Sequence, residues 1–87
     1  MAHVLARLRV RNFSTWKRGY DAHLPARRKA TLRQKALLRG LRNPNEVFIL
    51  FQAGNLKKAK AFMSSPQLRK VMKKNGVVGK PERFLLK

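Results

Sequence analysis

Residues 47–51 (Val47-Phe48-Ile49-Leu50-Phe51) are apolar without interruption, between the turn formers Asn43-Pro44-Asn45 and Gly54-Asn55. A run this short reads as a strand, and apolar residues on both of its faces call for a central position with cover on both sides. The rest of the chain must therefore supply neighbouring strands and a layer against each face.

The neighbours are legible. From Val4 to Val10 the pattern alternates, with Val4, Ala6, Leu8 and Val10 on one face and Leu5, Arg7, Arg9 and Arg11 on the other, which is the period of a strand. Ser14 is the expected N-cap of a helix whose Phe13, Trp16, Tyr20 and His23/Leu24 recur at spacings of three and four. Pro25 cannot continue that helix but can open a further turn or two over residues 26–30. A second strand is expected from about Leu32 to Leu41, with Arg33, Lys35 and Arg39 on one face and Leu32, Ala36 and Leu38 on the other. The Asn43-Pro44-Asn45 turn joins it to the apolar strand as a hairpin.

Asn55 caps a helix with Leu56, Ala59, Phe62 and Met63 on one face. Ser65-Pro66 starts another helical segment with Leu68, Val71 and Met72 inward, stopped by Asn75-Gly76 in a left-handed cap. Pro81 to Leu86 reads as a short last strand. The order β-α-β-β-α-β is the ferredoxin-like, split βαβ arrangement, an α+β fold in a single domain over residues 1–87. One sheet face takes the helices. The other, still apolar at Val47, Ile49 and Phe51 or at their alternates, has no cover in this chain. Such a face implies a partner, most simply a second copy in a homodimer.

Charge dominates the surface. The 87 residues hold 22 Lys and Arg against Asp21, Glu46 and Glu82, a net charge of +19. The basic residues run through every segment. Arg7, Arg9 and Arg11 lie on the first strand, Lys17 and Arg18 on the first helix, and Arg27, Arg28 and Lys29 behind Pro25. Arg33 and Lys35 lie on the second strand, Lys57, Lys58 and Lys60 on the next helix, and Arg69, Lys70, Lys73 and Lys74 on the last. All are candidate polyanion-binding residues.

Some of these positions oppose the local electrostatics. Lys17 and Lys58 stand third after the expected caps Ser14 and Asn55, where a glutamate would favour the helix dipole. Arg69 and Lys73, Lys70 and Lys74, and Lys57 and Lys60 are like-charged neighbours on one helix face. The backbone signals and the apolar pattern are otherwise consistent, so the charge reads as laid over an ordinary domain. Deliberate positive supercharging of an engineered variant explains this with one assumption. The expected activity is then electrostatic, with no catalysis: binding of anionic proteins or nucleic acid through charge and counterion release. A natural nucleic-acid-binding domain is an alternative, although such proteins typically gather their basic residues in a stripe or an arm.

Chemically capable side chains are few. Trp16, Tyr20 and His23 share one helix face. They could line an aromatic pocket with a proton-transferring imidazole, or simply pack the helix on the sheet, and the packed face is the expectation. His3, near the terminus, is expected to be exposed. Three scattered acids supply no carboxylate dyad, and two histidines without cysteine supply no metal site. Gly76 and Gly79 do not match a phosphate-binding loop, so no cofactor is implied. No stretch approaches the ~18 apolar residues of a membrane span. Arg7, Arg9 and Arg11 interrupt the first apolar run too early for a signal peptide, so a cytoplasmic setting is expected.

Three segments carry a family likeness: Phe13-Ser14-Thr15-Trp16-Lys17-Arg18-Gly19-Tyr20-Asp21-Ala22-His23, Asn43-Pro44-Asn45-Glu46-Val47-Phe48-Ile49-Leu50 and Ser64-Ser65-Pro66-Gln67-Leu68-Arg69. Over residues 3–87 the chain resembles the dimeric α+β barrel superfamily, nearest to the small proteins related to antibiotic biosynthesis monooxygenases. The resemblance implies two domains packing their sheets face to face into a barrel. It also implies, as in some members, cofactor-independent oxygenation or cyclisation of an aromatic substrate. The near-absence of acidic residues departs from the family and bears on any inherited pocket more than on the fold.

Overall fold

The computed structural model describes residues 2–87. The chain runs through β1 (Ala2–Val10), α1 (Phe13–Ala22), α2 (Leu24–Lys29), β2 (Leu32–Arg39), β3 (Glu46–Ala53), α3 (Leu56–Met63), α4 (Pro66–Lys74) and β4 (Val77–Leu86). The strands form one antiparallel sheet in the order β2-β3-β1-β4. This is the ferredoxin-like β-α-β-β-α-β fold, with each helical crossover split in two.

The apolar run at 47–51 is central, as its composition requires. Val47, Ile49, Phe51 and Ala53 are buried beneath the helices together with Val4, Leu8 and Val10 of β1 and Leu32 of β2. Trp16, Tyr20, Ala59 and Met63 close over them. Each fully buried aliphatic side chain in this layer contributes about 1.5–3 kcal/mol.

Local chemistry sets the element ends. α1 starts at Asn12, not Ser14: the Asn12 carboxamide oxygen accepts from Thr15 N–H at 3.0 Å. The earlier cap takes Phe13 into the helix and places its ring 5.7 Å from Trp16. Asn55 and Ser65 cap α3 and α4 as expected, accepting from Lys58 N–H and Leu68 N–H. α4 ends at Asn75, before Gly76 with φ +86°.

Three strand expectations are corrected. β2 bulges between Gln34 and Ala36, so Gln34 pairs with Phe51 but Ala36 with Leu50. One inserted residue inverts the alternation beyond it. Past the bulge Leu37 and Arg39 therefore turn to the helices, while Arg33, Ala36 and Leu38 share the open face. β2 also stops at Arg39, because Gly40 N–H bonds to Glu46 O and leaves Leu41 fully exposed in the turn. β4 begins at Val77, well before Pro81, because Gly79 at φ +70° lies in an irregularity opposite Arg7–Arg9 and lets pairing with β1 resume beyond it.

The open sheet face is carried by the alternates of the buried set. One row across the strands is Phe84, Leu5, Leu50 and Ala36; the next is Glu82, Arg7, Phe48 and Leu38. Arg7 bridges Glu46 at 3.0 Å and Glu82 at 3.7 Å, so two of the chain's three acids sit on this face.

Candidate functional site

The periodicity of α1 stacks its aromatic residues. Trp16 and Tyr20 are buried, with ring centroids 4.8 Å apart and planes 28° apart. A guanidinium closes each end of the stack. Arg39 of β2 lies 3.8 Å from the Phe13 ring centre, and Arg27 of α2 lies 3.6 Å from that of Tyr20. Such cation–π contacts are worth from ~0.5 to 2 kcal/mol as water is excluded. Arg27 also donates from Nη1 to the Tyr20 carbonyl, and the Tyr20 hydroxyl donates to Gln34 Oε1 at 2.8 Å.

Beside this stack lies an apolar cavity of about 90 Å³. Ala6, Leu8, Ile49 and Phe51 of the sheet form its floor, and Trp16, Tyr20 and His23 form one wall. The opposite wall is Phe62 and Met63 of α3 with Leu68, Val71 and Met72 of α4. The inward face expected for α4 is thus realised against the cavity, and no residue of that helix is fully buried. Asn75, Arg27 and Arg83 are the remaining polar lining groups, and no carboxylate lines the space. The structure therefore brings Trp16, Tyr20 and His23 to one chamber. The His23 ring is half-buried, 5.8 Å from Phe62.

Burial, the largest influence, pushes the Tyr20 hydroxyl up to about 12 from 10.0; Arg27 opposes the rise and Asp21 adds to it. The hydroxyl therefore remains a donor at neutral pH and cannot act as a phenolate base. Because the folded value lies above the unfolded one, the stabilisation from protonated Tyr20 is complete below pH 10.0 and is lost as pH rises towards 12. Tyr20 is the single tyrosine of the chain, so its ultraviolet absorbance reports it directly. We expect the tyrosinate band of the native protein to appear close to two pH units later than in guanidinium chloride. Coincident titrations would show that the ring is not held as described.

His3 departs from expectation. It is half-buried on the open sheet face, and its Nδ1 is enclosed without a hydrogen-bond partner because β3 and β4 flank it on both sides. The two histidines thus lie on opposite faces of the sheet and cannot act together. Among the described residues, no group of three His, Cys, Asp or Glu could hold a metal ion.

Most candidate polyanion-binding residues are exposed: Arg11, Arg18, Arg28, Lys29, Lys35, Lys57, Lys58, Lys60, Arg69, Lys70, Lys73 and Lys74. Arg7, Arg9 and Arg33 are exposed as well, but on the open sheet face, which a second copy would cover. Lys17 is half-buried and bonded to Asp21 at 2.7 Å. Arg27 is corrected outright: at 7% exposure it belongs to the core, because the turn after Ala22 swings α2 and lays its guanidinium on Tyr20. Sequence periodicity missed it, since the face of α1 does not continue through Pro25.

The charges also oppose the helices less than expected. No first turn carries an acid, yet α2, α3 and α4 each end on basic residues, where the dipole favours them.

No protein-family model and no curated protein sequence matches the chain. The fold does match solved structures. A proposed antibiotic biosynthesis monooxygenase from Bordetella bronchiseptica, 14% identical, aligns with a TM-score of 0.78 over 99% of this chain and 94% of that one. Another from Nitrosomonas europaea, 12% identical, aligns at 0.68 over 100% and 97%. An uncharacterised NIPSNAP domain protein from Burkholderia xenovorans, 10% identical, aligns at 0.67 over 100% and 93%. At these identities the likeness is one of fold, so the chain shares the ferredoxin-like α+β fold of antibiotic biosynthesis monooxygenase-like structures.

Proposed function

We propose that this chain is a homodimeric, cofactor-independent enzyme of monooxygenase or cyclase type, acting on an aromatic substrate in the cavity between α1 and α3-α4. The cavity carries this reading: its walls are apolar, and one proton-accepting side chain, His23, borders it. A flat ring can lie in the cavity beside Trp16 while His23 takes a proton from an activated C–H. In the oxygenase form dissolved O2 is the oxidant: a CH2 becomes a carbonyl, one oxygen atom enters it and the other leaves as water. Cyclisation needs the same proton transfer and no oxidant.

The cavity of about 90 Å³ is smaller than the ~150 Å³ that accepts benzene. A substrate larger than this space extends out of it or moves a wall, and α4, with no fully buried residue, is the wall held least firmly. The open sheet face, apolar along Phe84, Leu5, Leu50 and Ala36, is the proposed dimer interface.

A second reading, non-specific binding of anionic proteins or nucleic acid, draws on one observation. All three acids are paired within the chain (Asp21 with Lys17, Glu46 and Glu82 with Arg7), so the basic helical exterior has no counter-charge of its own. Nothing in the fold calls for an engineered, non-catalytic scaffold, because paired acids and basic helix C-termini fit an unaltered domain equally well.

Titration with a hydroxylated anthrone under nitrogen is expected to quench Trp16, the single tryptophan. Admission of oxygen should then start oxygen uptake if the enzyme is an oxygenase. His23→Ala should keep the quench and lose turnover. Absence of quenching with any fused-ring probe would overturn the enzyme reading and leave the electrostatic one.

A further inference from the structure

Arg27 is the one buried charged residue among those described. A guanidinium offers five N–H donors, and among the described residues only Nη1 has a hydrogen-bond acceptor, the Tyr20 carbonyl. Its guanidinium carbon lies over the Tyr20 ring, 3.6 Å from the ring centre. The nearest acidic influence, Asp21, is committed to Lys17 through both carboxylate oxygens at 2.7 and 2.8 Å. Arg27 thus borders the cavity with donors to spare and no carboxylate of its own. Unlike His3 Nδ1, its spare nitrogens are not enclosed, so they stay accessible to a ligand.

We propose that the cavity is built for an aromatic anion, with the ring between Trp16 and the α4 wall and a carboxylate or equivalent oxyanion on the free edge of Arg27. The inference rests on the aromatic cavity proposed above and specifies its ligand. Three further features agree with it. The lining contains Arg27 and Arg83 but no acid, so the charged side chains that border it are cationic. Tyr20 and its neighbours hold the guanidinium rigidly, which lowers the ordering cost of a two-point bond. Arg83, exposed on β4 and lining the same cavity, can draw the anion in.

The net charge of +19 will attract any anion, so the experiment must separate the cavity from the surface. Benzoate and the nearly isosteric neutral benzamide are titrated against Trp16 fluorescence at low salt and at ~300 mM salt, where exposed charges are largely screened and buried pairs are not. Benzoate is expected to bind at least about tenfold more tightly than benzamide at both salt concentrations. Arg27→Gln should abolish the preference, and Arg28→Gln, which removes the same charge from the adjacent exposed position, should retain it. A preference that disappears with salt in the unaltered protein, or survives in a folded Arg27→Gln, overturns the Arg27 assignment. The salt comparison decides the matter even if that variant does not fold. Equal quenching by both probes would overturn the anion site and leave the aromatic cavity standing, whereas no quenching by either would remove both.

Discussion

Leu50→Asp is expected to convert the proposed dimer to monomers, weakening self-association by at least about a thousandfold. Leu50 stands in the apolar row of the open face, between Leu5 of β1 and Ala36 of β2. In a two-fold interface each copy brings the same residue, so the desolvation of an unpaired carboxylate is suffered twice. That penalty is several kcal/mol per ion even after relaxation, and every 1.4 kcal/mol is about tenfold in affinity. The substitution has a second merit in this chain. Each protomer carries +19, and an added aspartate lowers the mutual repulsion, so loss of the dimer cannot be blamed on charge. Leu41→Asp makes the same chemical change at a fully exposed turn position and should leave the dimer intact. Light scattering after size exclusion reads both. Raising salt from ~20 to ~300 mM should tighten the proposed dimer of the unaltered chain by screening like charges. A dimeric Leu50→Asp would move the interface away from this face.

The parts of the fold legible in the sequence are those fixed by periodicity within one element. The alternation of Val4 to Val10 and the Trp16–Tyr20–His23 spacing lead directly to the buried face of β1 and the cavity wall of α1. Features arising between elements were not legible. The bulge at Lys35 is a property of pairing with β3 and leaves no local mark, so Leu38 was assigned with Leu32 when it faces the other way. In the sequence Arg27 is indistinguishable from Arg28 and Lys29, because only the fold shows that the turn before Pro25 aims one of the three at Tyr20. The terminal position of His3 points to exposure, but a strand paired on both edges encloses its residues from the start. The candidate site was thus half visible: its aromatic wall could be inferred, and its cation could not.

Trp16→Ala tests whether that wall also carries the fold. Trp16 is 3% exposed, packed between Phe13 and Tyr20 in a stack with a guanidinium at each end. Removing so large a buried ring costs about 3–5 kcal/mol, out of the roughly 5–15 kcal/mol that holds a domain folded. Thermal unfolding followed by far-ultraviolet dichroism should fall by at least about 12 °C, while Leu24→Ala, at a partly exposed helix position, should change little. The hole would open into the existing cavity, so added indole should recover part of the lost stability by binding only the folded state. A small loss without indole rescue would mean that the stack is not under core packing. Trp16 would then serve ligand contact more than stability. A large loss with rescue would show one aromatic wall serving both, which explains how so small a domain can keep a cavity beside its core.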